Sequence, residues 1–279
     1  MNRLAELPEF LRFGPKMEPQ TPEITVIVST YANREFIPKK LDEIRAQTAF
    51  ERAEFLFIEP DSPERERDLI EPFCAEHANC RLLALDDRIN LYQAWNLGWA
   101  EARAPLLCIS NVDDSMHPKL LNRVISDMKK SDWDLATVLI AKQPIDGSMN
   151  DWSFDRILKL PLSKRPGPFF VWRKSLIESL GRFDESLEIV GDKDFWARAQ
   201  AKGLRLGLIP LVGYLNTFHS KQLSKSGNAS EKKRRERRIC SKKGYPHVWP
   251  VPLCRNIRLI SRLWRLPVWR NRYQMTGRK

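Results

Sequence analysis

The chain has 279 residues, of which 42% are hydrophobic, and a formal net charge of +12. This length can bury a real core in one large or two small domains, and no apolar run approaches the roughly 20 residues that cross a bilayer. The five cysteines are odd in number and lack a Cys-x-x-Cys spacing, which argues against a disulfide framework or a zinc site. Because the N-terminus contains acids and no signal-like apolar segment, we expect a cytoplasmic protein.

The positive charge is concentrated in the last part of the chain. From His219 onward there are 18 Lys and Arg against two acids, whereas the preceding part carries 29 Lys and Arg against 33 acids. A weakly acidic body and a strongly basic tail predict two functional regions.

The first half of the chain alternates short apolar runs with segments of helical periodicity. Residues 1–22 are Pro-rich and weakly patterned, and we expect a loosely docked lead-in there. Predicted strands cover residues 24–30, 53–62, 80–85 and 105–110, and predicted helices cover residues 34–48, 63–77 and 91–103. This alternation is typical of an α/β fold with a doubly wound, mostly parallel sheet, in which ligands bind beyond the carboxyl ends of the strands.

The second half is less regular. Residues 144–170 are rich in Pro, Gly and aromatic residues, which indicates a loop. A helix is expected from residue 171 to a stop at Gly181, and a second helix in DKDFWARAQA stops at Gly203 before a further strand.

Two adjacent acids, Asp113 and Asp114, stand where the apolar run PLLCI ends. Neighbouring carboxylates repel each other, so a protein either solvates them or neutralises them. Taken alone, the pair fits a solvated turn or a helix N-cap as well as a metal site.

Several segments of the chain follow the motif order of one known family. They are ITVIVSTYANR (24–34), FIEPDS (57–62), the Asn90, Ala94, Asn96, Gly98 pattern, NVDD (111–114), RKSLIESLGRFDESL (173–187) and GDKDFWARAQAKG (191–203). Over roughly residues 23–225 the chain resembles the inverting family 2 glycosyltransferases of the GT-A fold, of the bacterial polysaccharide and lipopolysaccharide type. The resemblance implies a lead-in over 1–22, a GT-A domain over 23–225 and a basic, partly amphipathic helical extension over 226–279.

The resemblance also implies a role for each matching position. Asp192 would be the general base, with Asp194 as second choice, although both could simply cap the helix that begins there. Asp113 would hold Mn²⁺ or Mg²⁺ near His219, while Asp114 would support the turn. The positions implied to bind the nucleotide sugar are Ser29, Thr30, Tyr31, Glu59, Asp61, Asn90, Asn96, Asn111, Val112 and Lys221, with Glu59 or Asp61 as the acid that meets the nucleotide base.

Aromatic residues in the irregular middle could serve the acceptor, because sugar faces stack on aromatic rings. Trp152 and Trp172 are the candidates, and filling of the core is the alternative for both.

The function implied is inverting, metal-assisted transfer of a sugar from a nucleotide diphosphate sugar, with a UDP-linked donor expected, to a glycan or lipid-linked acceptor. Two positions depart from the family pattern, since Asn111 replaces an Asp of the metal motif and Gly191 stands where a Glu is usual. They raise the alternative of a catalytically inactive protein that binds a nucleotide or glycan. A nucleotidyltransferase would need a Gly-rich basic loop after the first strand, where STYANRE stands instead.

The basic tail has its own pattern. Residues 231–243 read EKKRRERRICSKK, and farther on Leu253, Ile257, Ile260 and Trp264 share one helical face opposite several arginines. A basic amphipathic helix with tryptophans predicts peripheral binding to an anionic membrane surface through residues 231–279, on the inner face of the membrane. The alternatives are a helix docked on the catalytic body and nucleic-acid binding, for which no motif is found.

Overall fold

A mixed sheet of nine strands forms the centre of the described chain, with strand order β1-β4-β3-β2-β5-β8-β7-β9-β6. The computed structural model describes residues 10–13, 21–144, 152, 160–163, 167–219, 222–223 and 227–243. The strands are β1 (Phe10–Phe13), β2 (Ile24–Ser29), β3 (Ala53–Pro60), β4 (Cys80–Leu85), β5 (Leu106–Ile109), β6 (Ser115–Met116), β7 (Leu135–Pro144), β8 (Phe170–Arg173) and β9 (Leu206–Phe218).

Helices connect these strands. They are α1 (Ile37–Arg45), α2 (Arg67–Glu76), α3 (Leu91–Glu101), α4 (Leu120–Lys130), α5 (Leu176–Ser179), α6 (Gly191–Ala201) and α7 (Ala229–Lys242), and short 3₁₀ turns cover Arg34–Phe36 and Phe50–Arg52. None of the helices in the described ranges combines the length and the apolar character that a bilayer span needs.

The sheet is parallel only in part, so the prediction of a mostly parallel sheet is wrong for the second half of the fold. β2 pairs in parallel with β3 and β5, β3 with β4, and β7 with β9. The pairings β5–β8, β7–β8, β6–β9 and β1–β4 are antiparallel. The α/β class and the first four predicted strands are confirmed.

Two segments depart from their sequence-based expectations. The lead-in contributes β1, which pairs with the otherwise open edge of β4 and satisfies its backbone groups. The helix expected from residue 171 begins instead with strand β8, because Phe170, Val171 and Trp172 are buried between β5 and β7. Only the short α5 follows it.

Both faces of the sheet are covered, which explains why its central strands read as continuous apolar runs. In β2, Val26 and Val28 pack into the core on one face, whereas Ile27 packs into the core on the other. α3 lies so close to that second face that a Cβ added at Gly98 would stand 2.6 Å from Ile27 Cγ2. Glycine at this position therefore sets the distance between α3 and the sheet.

The carboxyl ends of β2, β3 and β5 meet at one edge of the sheet, because these strands run parallel and are adjacent. The polar segments 29–34, 59–66 and 110–114 leave the sheet at this edge. This is the position at which doubly wound sheets bind ligands.

Candidate active site

The loop between β5 and β6 places Asp113 beside His219. Asp113 Oδ2 lies 2.7 Å from His219 Nε2, and the imidazole packs 5.1 Å, centroid to centroid, from the Phe36 ring. His219 directly follows β9, and the antiparallel pairing of β9 with β6 returns it to this loop. The structure thus brings together the two side chains predicted as metal ligands.

This pair fits a divalent cation in its donor chemistry. A carboxylate oxygen and an imidazole nitrogen are both accepted ligands of Mn²⁺, and cations that serve phosphate chemistry take few protein ligands beside phosphate and water. Within the ranges that the structure describes, no group of three or more His, Cys, Asp or Glu is placed to hold a metal ion.

Asp114 has a different task from its neighbour. Its carboxylate accepts hydrogen bonds from Asn216 Nδ2 at 2.9 Å, from the Thr217 N–H at 2.8 Å and from Asn111 Nδ2 at 3.0 Å. Burial raises the pKa of Asp114, and the charge of Asp113 adds to that rise. Asp114 therefore joins the loop to β9, which agrees with the expected role of supporting the turn.

The contact with Asp114 also explains why an asparagine fits at position 111. Its side-chain amide donates to Asp114, and its backbone N–H donates to Tyr214 Oη at 3.1 Å. A carboxylate at position 111 would place a second acceptor against the Asp114 carboxyl group instead of donating to it. The side chain of Val112 is buried in the core, so only its backbone is left to meet a ligand.

A buried ion pair under this loop was missed in the sequence. Lys40 Nζ donates to the Asp114 carbonyl at 2.7 Å and lies 3.4 Å from Glu43 Oε2, and both side chains are at most 5% exposed. The Glu43 carboxylate also accepts from the Met116 N–H. Position 40 falls one turn after Ile37 on the buried face of α1, so helical periodicity could have identified it.

Three backbone contacts lock the loop after β2 to the loop after β3. The N–H groups of Ala32, Asn33 and Arg34 donate to Ser62 Oγ at 2.9 Å, Glu66 Oε1 at 2.7 Å and Glu64 Oε2 at 2.9 Å, respectively. Ala32 holds φ at 54°, in the left-handed region that costs a side chain of this type energy. The surrounding contacts therefore over-determine the shape of this edge.

Ser29, Thr30 and Tyr31 lie at the end of β2 as predicted. Ser29 Oγ accepts from Trp95 Nε1 at 3.2 Å, and the buried Thr30 Oγ1 has no hydrogen-bond partner among the described residues. The Arg88 guanidinium lies 4.5 Å from the Tyr31 ring centroid. Arg88 is exposed in the loop after β4 and is not among the residues predicted from the sequence.

The two acids predicted for the nucleotide base have unlike surroundings. Glu59 is fully buried, receives the Ser62 N–H at 2.9 Å and is held by Arg67 Nε at 2.7 Å. Burial raises the pKa of Glu59 while the Arg67 guanidinium opposes that rise. Asp61 is exposed at the edge of the sheet with φ of 43°. Of the two, Asp61 has a carboxylate available to a ligand.

Asn90 and Asn96 fasten α3 to the segment that precedes α6. Asn90 caps α3 with its side chain and donates to the Glu185 carbonyl at 2.8 Å. Asn96 exchanges two hydrogen bonds with the backbone of Phe183, each at 2.9 Å. Both side chains thus stabilise the fold, and their binding of the nucleotide sugar stays a prediction.

Asp192 lies in the first turn of α6, half-buried against Tyr92. Burial raises the pKa of Asp192, and the charges of Lys193 and Lys233 act in the opposite direction. Its Oδ1 accepts the Lys193 N–H at 2.8 Å, and among the described residues no cation lies within ion-pair distance of it. A half-buried carboxylate with a raised pKa and no ion-pair partner is a stronger proton acceptor than an ordinary aspartate.

The packing of Tyr92 explains why a glycine stands at position 191. A Cβ added at Gly191 would stand 2.6 Å from Tyr92 Cζ. Tyr92 is buried, and its hydroxyl lies against the backbone of Gly191 and Asp192. A larger residue at position 191 would displace the ring that supports the first turn of α6.

Asp194 is committed to the fold, which corrects its prediction as a second catalytic acid. It is buried and receives Arg198 Nε at 2.8 Å and Lys243 Nζ at 3.0 Å. Because each of its two oxygens is bound by a cation, Asp194 could contact an acceptor hydroxyl only if one of these ion pairs were broken.

The two tryptophans predicted to bind the acceptor differ in their burial. Trp172 is fully buried in β8 among Trp99, Phe183 and Phe195, so the acceptor role is wrong for it and core filling is confirmed. Trp152 is partly buried, with its ring 5.0 Å from that of His117. Lys221 lies outside the described residues.

A family model named "Glycosyl transferase family 2" matches residues 25–177, which is more than half of the chain. The chain belongs to glycosyl transferase family 2. The matched range contains the loops after β2, β3 and β5, and therefore Asp113.

Relatives and solved structures agree with this assignment. The chain is 25% identical over 195 residues to "Glycosyltransferase AglE" of Haloferax volcanii, covering 66% of this chain and 64% of that protein. It is 24% identical over 231 residues to "Succinoglycan biosynthesis protein ExoO" of Rhizobium meliloti, covering 76% of this chain and 65% of that protein. The family 2 chain thus spans just under two thirds of the length of these curated relatives.

Two solved structures share the fold. S. aureus TarS 1–349 in complex with UDP-GlcNAc superposes with a TM-score of 0.60 at 18% identity, covering 76% of this chain and 65% of that one. The mannosyltransferase PcManGT from Pyrobaculum calidifontis, in complex with GDP-Man and Mn²⁺, superposes with a TM-score of 0.59 at 17% identity, covering 92% and 74%. The glycosyltransferase family 2 domain therefore has the GT-A fold that the resemblance implied.

Proposed function

We propose that this family 2 domain is an inverting glycosyltransferase that moves a sugar from a nucleotide diphosphate sugar to a glycan or lipid-linked acceptor. The observation that supports it most is a set of contacts at one edge of the sheet. Asp113 and His219 form a pair after β5, while Asp192 adjoins Tyr92, whose ring meets Trp95, the partner of Ser29 after β2. Asp192 is thereby linked through buried contacts to the end of β2, the strand next to β5, and this supports assigning the Asp113–His219 pair and the candidate base to one site.

In the proposed reaction the acceptor hydroxyl oxygen attacks C1 of the donor sugar from the face opposite the nucleotide. The bond from C1 to the diphosphate oxygen breaks, and its electron pair leaves with the nucleoside diphosphate. Asp192 takes the proton of the acceptor hydroxyl as the new bond forms. One displacement of this kind inverts the configuration at C1.

Asp113 and His219 would hold Mn²⁺ or Mg²⁺ beside the diphosphate, and the bound ion would neutralise charge on the leaving group. The chain's own part is to keep this pair in place. The Asp114 side chain binds β9, and the Lys40 ammonium donates a hydrogen bond to the Asp114 backbone carbonyl. Positioning of this kind matters because small displacements of reacting groups cost large factors in rate.

The donor is expected to carry UDP, with Asp61 meeting the base and the Tyr31–Arg88 pair close to it. Asp61 supports this proposal through its exposure, and Arg88 through a cationic head exposed at the same edge. Trp152 remains the aromatic side chain proposed for the acceptor.

The function is tested by incubating the full chain with a panel of UDP- and GDP-linked sugars, with Mn²⁺ and then with Mg²⁺. Release of the free nucleoside diphosphate, coupled to a colour reaction, measures both transfer and slow hydrolysis. We expect release with at least one UDP-sugar and strong dependence on the cation. Neither release nor saturable binding of any nucleotide across the panel would contradict the proposal.

A membrane-facing role for the basic extension is proposed on the described part of α7. Along one side of this helix an open groove of about 540 Å³ is lined by Ser230, Lys233, Arg234, Arg237, Arg238 and Ser241. Four cations and no acid line this face, and each basic residue near an anionic bilayer contributes about 1 kcal/mol.

Co-sedimentation with vesicles tests the membrane-facing role. The full chain should bind vesicles that contain phosphatidylserine and not neutral ones, and a variant with Arg234, Arg237 and Arg238 changed to Gln should bind several-fold more weakly. Equal binding of the two proteins would contradict this use of α7, and salt-independent binding would argue against an electrostatic origin.

A further inference from the structure

The buried side of α7 reaches the helix that carries Asp192 through one carboxylate. Glu236 is only 5% exposed, and its two oxygens accept three consecutive backbone N–H groups. The donors are Glu188 at 2.9 Å, Ile189 at 3.0 Å and Val190 at 3.0 Å. Successive amides that converge on one anion form a compact binding concavity for it.

These three amides lie directly before the first turn of α6. Val190 is the N-cap residue of α6, and its side chain offers no capping oxygen. Asp192 is the second residue of the helix, so the backbone that Glu236 holds is the backbone from which Asp192 projects. The chain has no acid at position 191, yet a carboxylate from 45 residues farther along the sequence lies at this helix start.

Three ion pairs, made by two lysines, hold α7 in the position that this contact requires. Lys232 Nζ lies 2.6 Å from Glu188 Oε2. At the other end of α7, Lys243 Nζ lies 2.6 Å from Asp184 Oδ2 and 3.0 Å from Asp194 Oδ1. Contacts on both sides of Glu236 thus join α7 to residues 184–194.

We infer that Glu236 is a positioning residue for Asp192, so that α7 acts on the proposed base through this one contact. Glu236 does not touch the substrate. It fixes the turn into α6 and so sets the place of the Asp192 carboxylate against the acceptor hydroxyl. This inference rests on the proposed function, because it takes Asp192 to be the base.

The test compares Glu236→Ala and Glu236→Gln with Glu231→Ala, which removes an exposed acid from the first turn of the same helix. Because misplacement by about 1 Å can cost about 10²-fold in rate, we expect kcat of Glu236→Ala to fall about 10- to 100-fold. The KM for the donor and the Kd for the nucleoside diphosphate should stay unchanged. Glu236→Gln should recover part of the loss, since its amide oxygen still accepts N–H groups, and Glu231→Ala should match the wild type.

Two readouts separate positioning from loss of folding. Titration with the nucleoside diphosphate counts correctly folded sites, and a fall in kcat that only follows a fall in that count would overturn the inference. Unchanged kcat in Glu236→Ala would overturn it as well. Amide hydrogen exchange at residues 188–192 should accelerate in Glu236→Ala but not in Glu231→Ala.

The exchange measurement does not depend on turnover, which separates the two proposals. Accelerated exchange in a protein whose Asp192→Asn variant remains fully active would contradict the catalytic assignment of Asp192 and leave the contact intact. Unchanged exchange, together with an inactive Asp192→Asn variant, would contradict the role of Glu236 alone.

Discussion

Replacing Asp192 by Asn is expected to lower kcat by about 10²- to 10⁴-fold, the range that a general base contributes. Asparagine keeps the size of the side chain and can still accept the Lys193 N–H, but it cannot take a proton from the acceptor. The Kd of the nucleoside diphosphate should be unchanged, because the residue acts on the acceptor. Steady-state release of nucleoside diphosphate, with calorimetry for nucleotide binding, measures both quantities.

Asp194→Asn is the informative comparison, since the two acids are only two residues apart. Asp194 is buried and paired with Arg198 and Lys243. Asparagine would remove both charge pairs, so the expected consequence is a lower free energy of unfolding. We expect a lower rate when Asp192 is replaced and mainly a lower stability when Asp194 is replaced. The opposite assignment of the two defects would contradict this expectation.

The raised pKa of Asp192 gives this reaction a pH dependence of known sign. The base is active only when it is deprotonated, so kcat falls as the pH drops through the raised pKa. The acid limb of the rate profile should therefore lie above the pH at which an ordinary aspartate titrates, and no such limb should remain in Asp192→Asn.

Replacing Asp113 by Asn is expected to lower kcat/KM by about 10²- to 10³-fold and to abolish most of the stimulation by Mn²⁺. The estimate follows from the several kcal/mol that a bound cation contributes to charge stabilisation, at about 1.4 kcal/mol per tenfold. Titration of the initial rate with Mn²⁺ measures the effect as a raised half-saturating concentration. His219→Ala should act in the same direction, since its imidazole is the neighbour of that carboxylate.

The matched control is Asp132→Asn, which removes an exposed carboxylate that pairs only with Arg205 in the described structure. Its rate and its Mn²⁺ dependence should equal those of the wild type. An Asp113→Asn variant with unchanged Mn²⁺ dependence would show that the cation is held elsewhere, and it would remove the reason for assigning this loop to the diphosphate.

The two departures from the family pattern do not favour an inactive protein. Asn111 donates to Asp114 and so stabilises the loop that presents Asp113. Gly191 leaves the space that the Tyr92 ring fills. Neither change removes Asp113, His219 or Asp192, so the residues needed for the proposed chemistry are all present.

Local sequence patterns were sufficient for the first half of the fold. The apolar runs of β2, β3, β4 and β5 are buried on both faces, so their composition alone identified them and indicated where their polar ends would meet. The NVDD loop could be located because it follows the apolar run of β5, whereas the start of α6 was singled out by its resemblance to a family motif.

The remaining features depend on partners that are distant in sequence, and local patterns carry no information about them. Asp192 and Asp194 cannot be told apart from the local sequence, because Lys243, which directly follows α7, pairs with only one of the two, Asp194. Glu59 and Asp61 are equally plausible ligands in the local sequence, but in the fold the Arg67 guanidinium binds the Glu59 carboxylate. Trp172 is another example, since a tryptophan in an irregular region became a core residue once β8 inserted between β5 and β7.

The anomeric configuration of the first product, followed by proton NMR before any equilibration, distinguishes inverting from retaining transfer. With a donor identified from the panel, we expect a new glycosidic bond of configuration opposite to that of the donor, formed about 10²- to 10⁴-fold more slowly by Asp192→Asn than by the wild type. A product that keeps the configuration of the donor would contradict a single displacement assisted by Asp192.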